Sequence, residues 1–286
     1  MGGRNVVSVG RRRQRRNKKL IGRTILLFLI IAIGVGIYSL GQSLWGTTAN
    51  AASEQKSTVV TEVAVIATAA KEKQSPTLYN GLKRKVAYLT FDDGPNSHTG
   101  EILDVLKQNN IKATFFMLGD NMRDNPDQVK RMFEEGHYPG LHSMTHNFAK
   151  LYKSGSSKNF IDEFTEAQGI VKEVTGFNPI LIRAPYGSAP QIKEGFRTDI
   201  ANAGFKMWDW TLDTLDWKYA NNPSAILAQV KATLTEDTEV ILMHDRKQTL
   251  NQLQQVIDYI RSEGYEFEVY NPNAHFVCNF HKDERL

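Results

Sequence analysis

The chain has 286 residues, 41% hydrophobic and 23% charged, a balance that excludes a wholly disordered or low-complexity protein and allows a sizeable core. A single cysteine, Cys278, excludes an intrachain disulfide, and its apolar neighbours mark it as a core residue rather than a nucleophile. The net charge of +4 is misleading as an average: nine basic residues lie between Arg4 and Arg23, and no acidic residue precedes Glu54. Beyond that arm, 26 Lys and Arg stand against 31 Asp and Glu, which excludes a basic nucleic-acid-binding domain.

In chain order, the arm over 1–23 is followed by an uncharged stretch that opens with the apolar run Ile25 to Tyr38. Continued through Leu40 and Trp45, it supplies roughly the 20 residues a bilayer-crossing helix needs. A transmembrane helix is expected over 24–45, and basic residues before it and none just after put the rest of the chain outside the cytoplasm. The alternative is a cleaved secretory signal, for which Ala49-Asn50-Ala51 offers a small-residue cleavage site. Contact with anionic headgroups accounts for the arm, and no nucleic-acid or protein partner is expected. Residues 46–85, rich in Thr, Ala, Ser, Lys and Glu, read as an extracytoplasmic stalk. Within it, Val59 to Ala70 fits a strand or a helix equally well.

From 86 to 286 the pattern becomes that of a folded domain. Short apolar runs predict strands at Val86–Phe91, Ala113–Met117, Tyr138–His142, Ile180–Arg183, Lys206–Thr211, Glu239–Met243 and Glu266–Tyr270. Helices are predicted between them at Glu101–Asn109, Pro126–Glu135, Phe160–Val174, Gln191–Ala203, Ser224–Leu234 and Thr249–Ser262. Pro126 and Pro223 mark entrances, and Gly136, Gly176, Gly204 and Gly264 mark exits. Seven strands alternating with six helices argue for parallel α/β architecture, in which chemistry gathers at the carboxyl ends of the strands.

The unusual polar residues stand at those ends. Asp92 and Asp93, after the first strand, point different ways, so one can hold a cation while the other addresses a water or substrate. His142 and His146, four apart, can reach one metal if the segment is a helical turn. With a carboxylate they form a two-His, one-Asp set suited to zinc or a similar divalent ion. Arg183, permanently charged, can hold a nearby carboxylate ionised, and the N–H groups after it, in a turn constrained by Pro185, can face a developing oxyanion. Asp213 and Asp216 precede Trp217, the best placed of three clustered tryptophans for a sugar-stacking wall. Core filling is expected of Trp208 or Trp210. His244 closes an apolar strand with an imidazole that titrates near neutrality and can donate a proton.

The segments Thr90-Phe91-Asp92-Asp93-Gly94-Pro95, His142-Ser143-Met144-Thr145-His146, Arg183-Ala184-Pro185-Tyr186-Gly187, Asp213-Thr214-Leu215-Asp216-Trp217 and Leu242-Met243-His244 together resemble the polysaccharide deacetylases of carbohydrate esterase family 4, the NodB-homology domain, from Val86 to Tyr270. The resemblance implies a distorted (β/α)7-type barrel and a zinc-like ion held by Asp93, His142 and His146. It further implies Asp92 as catalytic base, Arg183 as its ionic partner, and His244 as catalytic acid tuned by Asp216 or alternatively Asp213. Tyr186, through its backbone N–H, and Trp217 are implied to face substrate. One position departs: family members commonly carry Asn where this chain has Leu141. The implied activity is removal of N-acetyl groups from peptidoglycan N-acetylglucosamine. The competing readings are another acetylated polymer (chitin oligomers, poly-N-acetylglucosamine, N-acetylmuramic acid units, acetylxylan) and a non-catalytic glycan-binding module.

Overall fold

A computed structural model describes residues 78–79, 82–83 and 84–286. The basic arm, the expected membrane segment and most of the expected stalk lie outside the described residues, and no helix among the described residues is long and apolar enough to cross a membrane. At the start of the described chain, β1 (Leu78–Tyr79) and β2 (Leu82–Lys83) pair antiparallel.

The core is organised by β3 (Lys85–Asp92), in which every residue from Val86 onward is buried. A strand covered on both faces reads as a continuous apolar run rather than an alternating one, as Val86 to Phe91 does. It pairs in parallel with β4 (Thr114–Met117), β9 (Thr238–His244) and β10 (Tyr265–Phe267). Beyond β4 come β5 (Tyr138–Leu141), β6 (Leu181–Ile182) and β7 (Lys206–Met207), and beyond β9 lies β8 (Leu212–Asp213). Among the described residues eight α-helices accompany these strands: α1 (Thr99–Gln108), α2 (Gly119–Asp124), α3 (Pro126–Glu134), α4 (Phe148–Tyr152), α5 (Lys158–Thr175), α6 (Glu194–Asn202), α7 (Ser224–Thr233) and α8 (Lys247–Ser262). In α8, Leu253, Val256, Ile257 and Ile260 are buried at the three- and four-residue spacing of a single helical face. Helix α5 stops at Gly176, whose φ of 75° is the left-handed turn that glycine adopts without a Cβ clash.

The parallel α/β reading holds, and the expected distorted (β/α)7-type barrel takes the form of a curled half-barrel. The sheet runs β7-β6-β5-β4-β3-β9-β8, and its two ends do not pair. Of the single strand expected over Lys206–Thr211, only Lys206–Met207 is strand, as β7; β8 begins beyond it at Leu212. Past β7, the Trp208 N–H still bonds the Ile182 carbonyl at 3.0 Å while Trp208 also bridges to the C-terminal segment at Cys278, and the Asp209 N–H donates to the Cys278 carbonyl at 2.6 Å. Trp208 is fully buried, as expected of a core residue. Burial also pushes the Cys278 thiol up to about 12, so it is not a nucleophile at neutral pH.

Candidate active site

Parallel register assembles the site. Asp92 pairs with His244 across β3 and β9, and Phe116 pairs with Asp92 across β4. At the end of β5 the His142 N–H bonds the Met117 carbonyl at 2.8 Å, and past β6 the Arg183 N–H bonds the Leu141 carbonyl at 2.9 Å. The expected residues therefore come from neighbouring strands at one end of the sheet.

Asp93, His142 and His146 each turn one ligand atom inward, and these atoms lie within 4.8 Å of one another. The Nε2 atoms of His142 and His146 stand 3.7 and 3.8 Å from Asp93 Oδ1. His142 Nδ1 lies 2.8 Å from the Arg183 carbonyl, which can only accept. Nδ1 therefore carries the hydrogen in the neutral ring, and Nε2 keeps its lone pair for a metal. Leu141, the departing position, is buried in the core, and the orienting contact to His142 comes from a backbone carbonyl.

The protonation states fit a divalent ion. Burial opposes ionisation of Asp93, but His142, His244, His146 and the Arg246 guanidinium together hold its carboxyl below the ordinary value. Burial and the neighbouring His142 hold His146 below the ordinary imidazole value. An ionised Asp93 carboxylate and a His146 ring biased toward its neutral form are the states in which these two side chains bind such an ion.

The helical turn expected at His142 to His146 is not what brings the two rings together. The segment is an irregular loop in which Ser143 and His146 have φ of 69° and 55°. Asp93, Tyr186 and Leu215 also adopt left-handed φ, at 71°, 69° and 55°. Each such residue costs about 1–2 kcal/mol, and five in the site motifs show that the surrounding fold holds these loops in a fixed shape. Glu163, overlooked in the sequence, holds one of them. Its buried carboxylate accepts from the Met144 and Thr145 N–H groups at 3.0 and 3.1 Å and pairs with Lys150 at 2.8 Å. An acid on the apolar stripe of Phe160, Phe164, Ala167 and Val171 was the available signal.

Asp92 and Arg183 form a buried pair, with Nη1 donating to Oδ1 at 2.8 Å. The guanidinium also donates to Thr90 Oγ1 at 2.7 Å and to the Trp208 and Asp209 carbonyls at 3.2 and 2.6 Å, and it lies 4.1 Å over the Phe116 ring. The other Asp92 oxygen stands 3.8 Å from His142 Nε2, facing the ligand cluster.

Of the two acids expected near His244, Asp216 makes the contact. Asp216 Oδ1 accepts from His244 Nδ1 at 2.7 Å, and Oδ2 accepts from the His244 N–H at 2.6 Å. Burial works against the imidazolium, but the bond to Asp216, its charge, and the charges of Asp92 and Asp93 hold His244 above the ordinary value. Asp213 instead accepts from the Leu215 N–H at 2.8 Å and from Trp217 Nε1 at 3.5 Å, shaping the loop. Trp217 and Tyr186 are about half exposed. The Tyr186 hydroxyl donates to the His146 carbonyl at 3.0 Å, and its own N–H makes no hydrogen bond among the described residues. Arg246, also overlooked, reaches Asp93 Oδ2 at 3.3 Å from two residues past His244.

Comparison with known proteins points the same way. A family model described as polysaccharide deacetylase matches residues 79–208. A peptidoglycan-N-acetylglucosamine deacetylase of Bacillus cereus is 44% identical over 268 residues, covering 92% of this chain and 96% of that protein. YheN, a putative polysaccharide deacetylase of Bacillus subtilis, is 41% identical over 190 residues, covering 65% of this chain and 67% of its own. Among solved structures, the polysaccharide deacetylase Bc1974 of Bacillus cereus matches at 47% identity with a TM-score of 0.68, covering 71% of this chain and 100% of that one.

Proposed function

The chain belongs to the polysaccharide deacetylase family, and from that premise we propose that it hydrolyses the N-acetyl groups of peptidoglycan N-acetylglucosamine outside the cytoplasm, releasing acetate. The observation that carries this reading is the convergence of Asp93, His142 and His146 beside Asp92, with His244 on the neighbouring strand. The names of the relatives support the substrate, and the uncharged segment after a basic arm supports a membrane anchor with the domain facing the wall.

In this reading Asp93, His142 and His146 would hold a divalent ion, zinc by the donor set, which when bound lowers the pKa of a water and polarises the acetyl carbonyl. Asp92 takes the water's proton as the oxygen attacks the carbonyl carbon, and Arg183 keeps that carboxylate aimed. The Tyr186 N–H is free to meet the tetrahedral oxyanion. His244, protonated and held through Nδ1 by Asp216, gives its Nε2 proton to the amide nitrogen as the carbon–nitrogen bond breaks. Acetate and a free sugar amine result.

The test is acetate release from purified peptidoglycan by the full chain. Chelation is expected to reduce release to background and added zinc to restore it. Undiminished turnover by chelated protein that has been shown free of metal would sink the reading.

A second expectation concerns pH. Because the His244 pKa is raised, the protonated acid persists above the ordinary imidazole value of about 6.5 and is lost only as pH rises through the raised value. Asp216→Asn removes the main raising interaction, so the alkaline limb of kcat/KM is expected to move to lower pH while the acid limb stays. An unmoved alkaline limb would assign it to another group.

A further inference from the structure

Among the described residues five large apolar side chains are exposed, and three of them border the site: Phe148 at 37%, Trp217 at 49% and Tyr186 at 53%. Tyr186 and Trp217 stand in motifs already considered, whereas Phe148 does not. It opens the short helix α4, which takes its core contact from Leu151, and the Asn147 side chain caps it by accepting from the Lys150 N–H at 3.0 Å. The fold therefore does not require a phenyl ring at this position.

The ring is nonetheless held in place. Phe148 packs edge-on against Tyr186, with centroids 5.4 Å apart and planes at 76°, and against Tyr152 at 5.3 Å. Both tyrosines are pinned through their hydroxyls, Tyr186 to the His146 carbonyl at 3.0 Å and Tyr152 to the Pro185 carbonyl at 2.8 Å. Tyr186 in turn lies 4.5 Å from the ring of His146. Ring contacts thus link Phe148 through Tyr186 to a candidate metal ligand, with Tyr186 and Phe148 both exposed, and contiguous exposed apolar surface beside a site marks a binding surface. Pyranoses present an apolar C–H face suited to such rings, and the step from Tyr186 to Phe148 is on the scale of one sugar ring.

We propose that the Phe148 ring, braced edge-on by Tyr186, stacks on the sugar next to the unit being deacetylated, which makes Phe148 a specificity-determining residue for glycan chains over single amino sugars. This rests on the deacetylase reading above. The probe is a set of N-acetylglucosamine oligomers of increasing length, with acetate release and calorimetric binding measured in parallel.

Phe148→Ala is expected to lower kcat/KM on the longest oligomers about three- to tenfold, through KM rather than kcat, and to weaken their binding by the same factor. The loss should shrink as the oligomer shortens, and Phe148→Trp should recover it. Should the alanine variant fold poorly, Phe148→Leu retains the bulk without the π face and carries the same expectation. Unchanged binding of the longest oligomer, or an equal loss at every length, would overturn the inference. Absence of acetate release by the unsubstituted chain would overturn the deacetylase reading instead, while the binding comparison still judges Phe148.

Discussion

Asp92→Asn is expected to cut acetate release about 10²- to 10⁴-fold in kcat/KM while leaving the fold and the metal site in place. The substitution is nearly isosteric, and the asparagine oxygen can still accept from Arg183 Nη1, so the 2.8 Å contact survives. What is lost is the capacity to take a proton, at the atom that stands 3.8 Å from His142 Nε2. The loss corresponds to about 3–5 kcal/mol of transition-state stabilisation. Because the proposed ligand set is Asp93, His142 and His146, zinc affinity measured by competition with a chromogenic chelator should be nearly unchanged. Retention of more than a tenth of the activity would remove Asp92 from the role of base. Loss of zinc binding together with activity would make it a ligand.

Much of the site was legible because parallel sheets place polar exceptions at strand ends. Asp92, Asp93, Arg183 and His244 each interrupt or close an apolar run, and each lies where that pattern puts it. Three features were not legible, for distinct physical reasons. Convergence of His142 and His146 depends on left-handed backbone at Ser143 and His146, which composition does not announce; the four-residue spacing suggested a helix that is not there. Glu163 stands out as an acid on the apolar stripe of its helix, but nothing in that stripe announces the loop its carboxylate binds. The end of β7 at Met207 was not legible because the irregular C-terminal segment bonds Trp208 and Asp209 where a strand was expected to continue. Periodicity reports which face of an element is buried. It does not report that a loop from elsewhere has taken a strand's place.

Arg183→Met carries the largest expected effect on stability. The guanidinium is fully buried, and its partners are the Asp92 carboxylate, the Thr90 hydroxyl and the Trp208 and Asp209 carbonyls. Methionine fills much of the volume but satisfies none of them, and it leaves the Asp92 charge buried without its counter-charge. Removing one partner of a buried pair costs about 3–5 kcal/mol, well above the value of an exposed ion pair. The urea midpoint should fall accordingly with an unchanged m-value, and activity should fall with it because the base is no longer aimed. Pairing the substitution with Asp92→Asn separates the two contributions. If uncompensated charge dominates, the double variant recovers at least about 0.5 kcal/mol relative to the sum of the single changes. If the orphaned hydroxyl and carbonyls dominate, the two effects add. A midpoint within about 0.5 kcal/mol of the unsubstituted chain would show that water or a neighbouring side chain reaches Asp92 once Arg183 is gone, and the pair would then serve catalysis rather than folding.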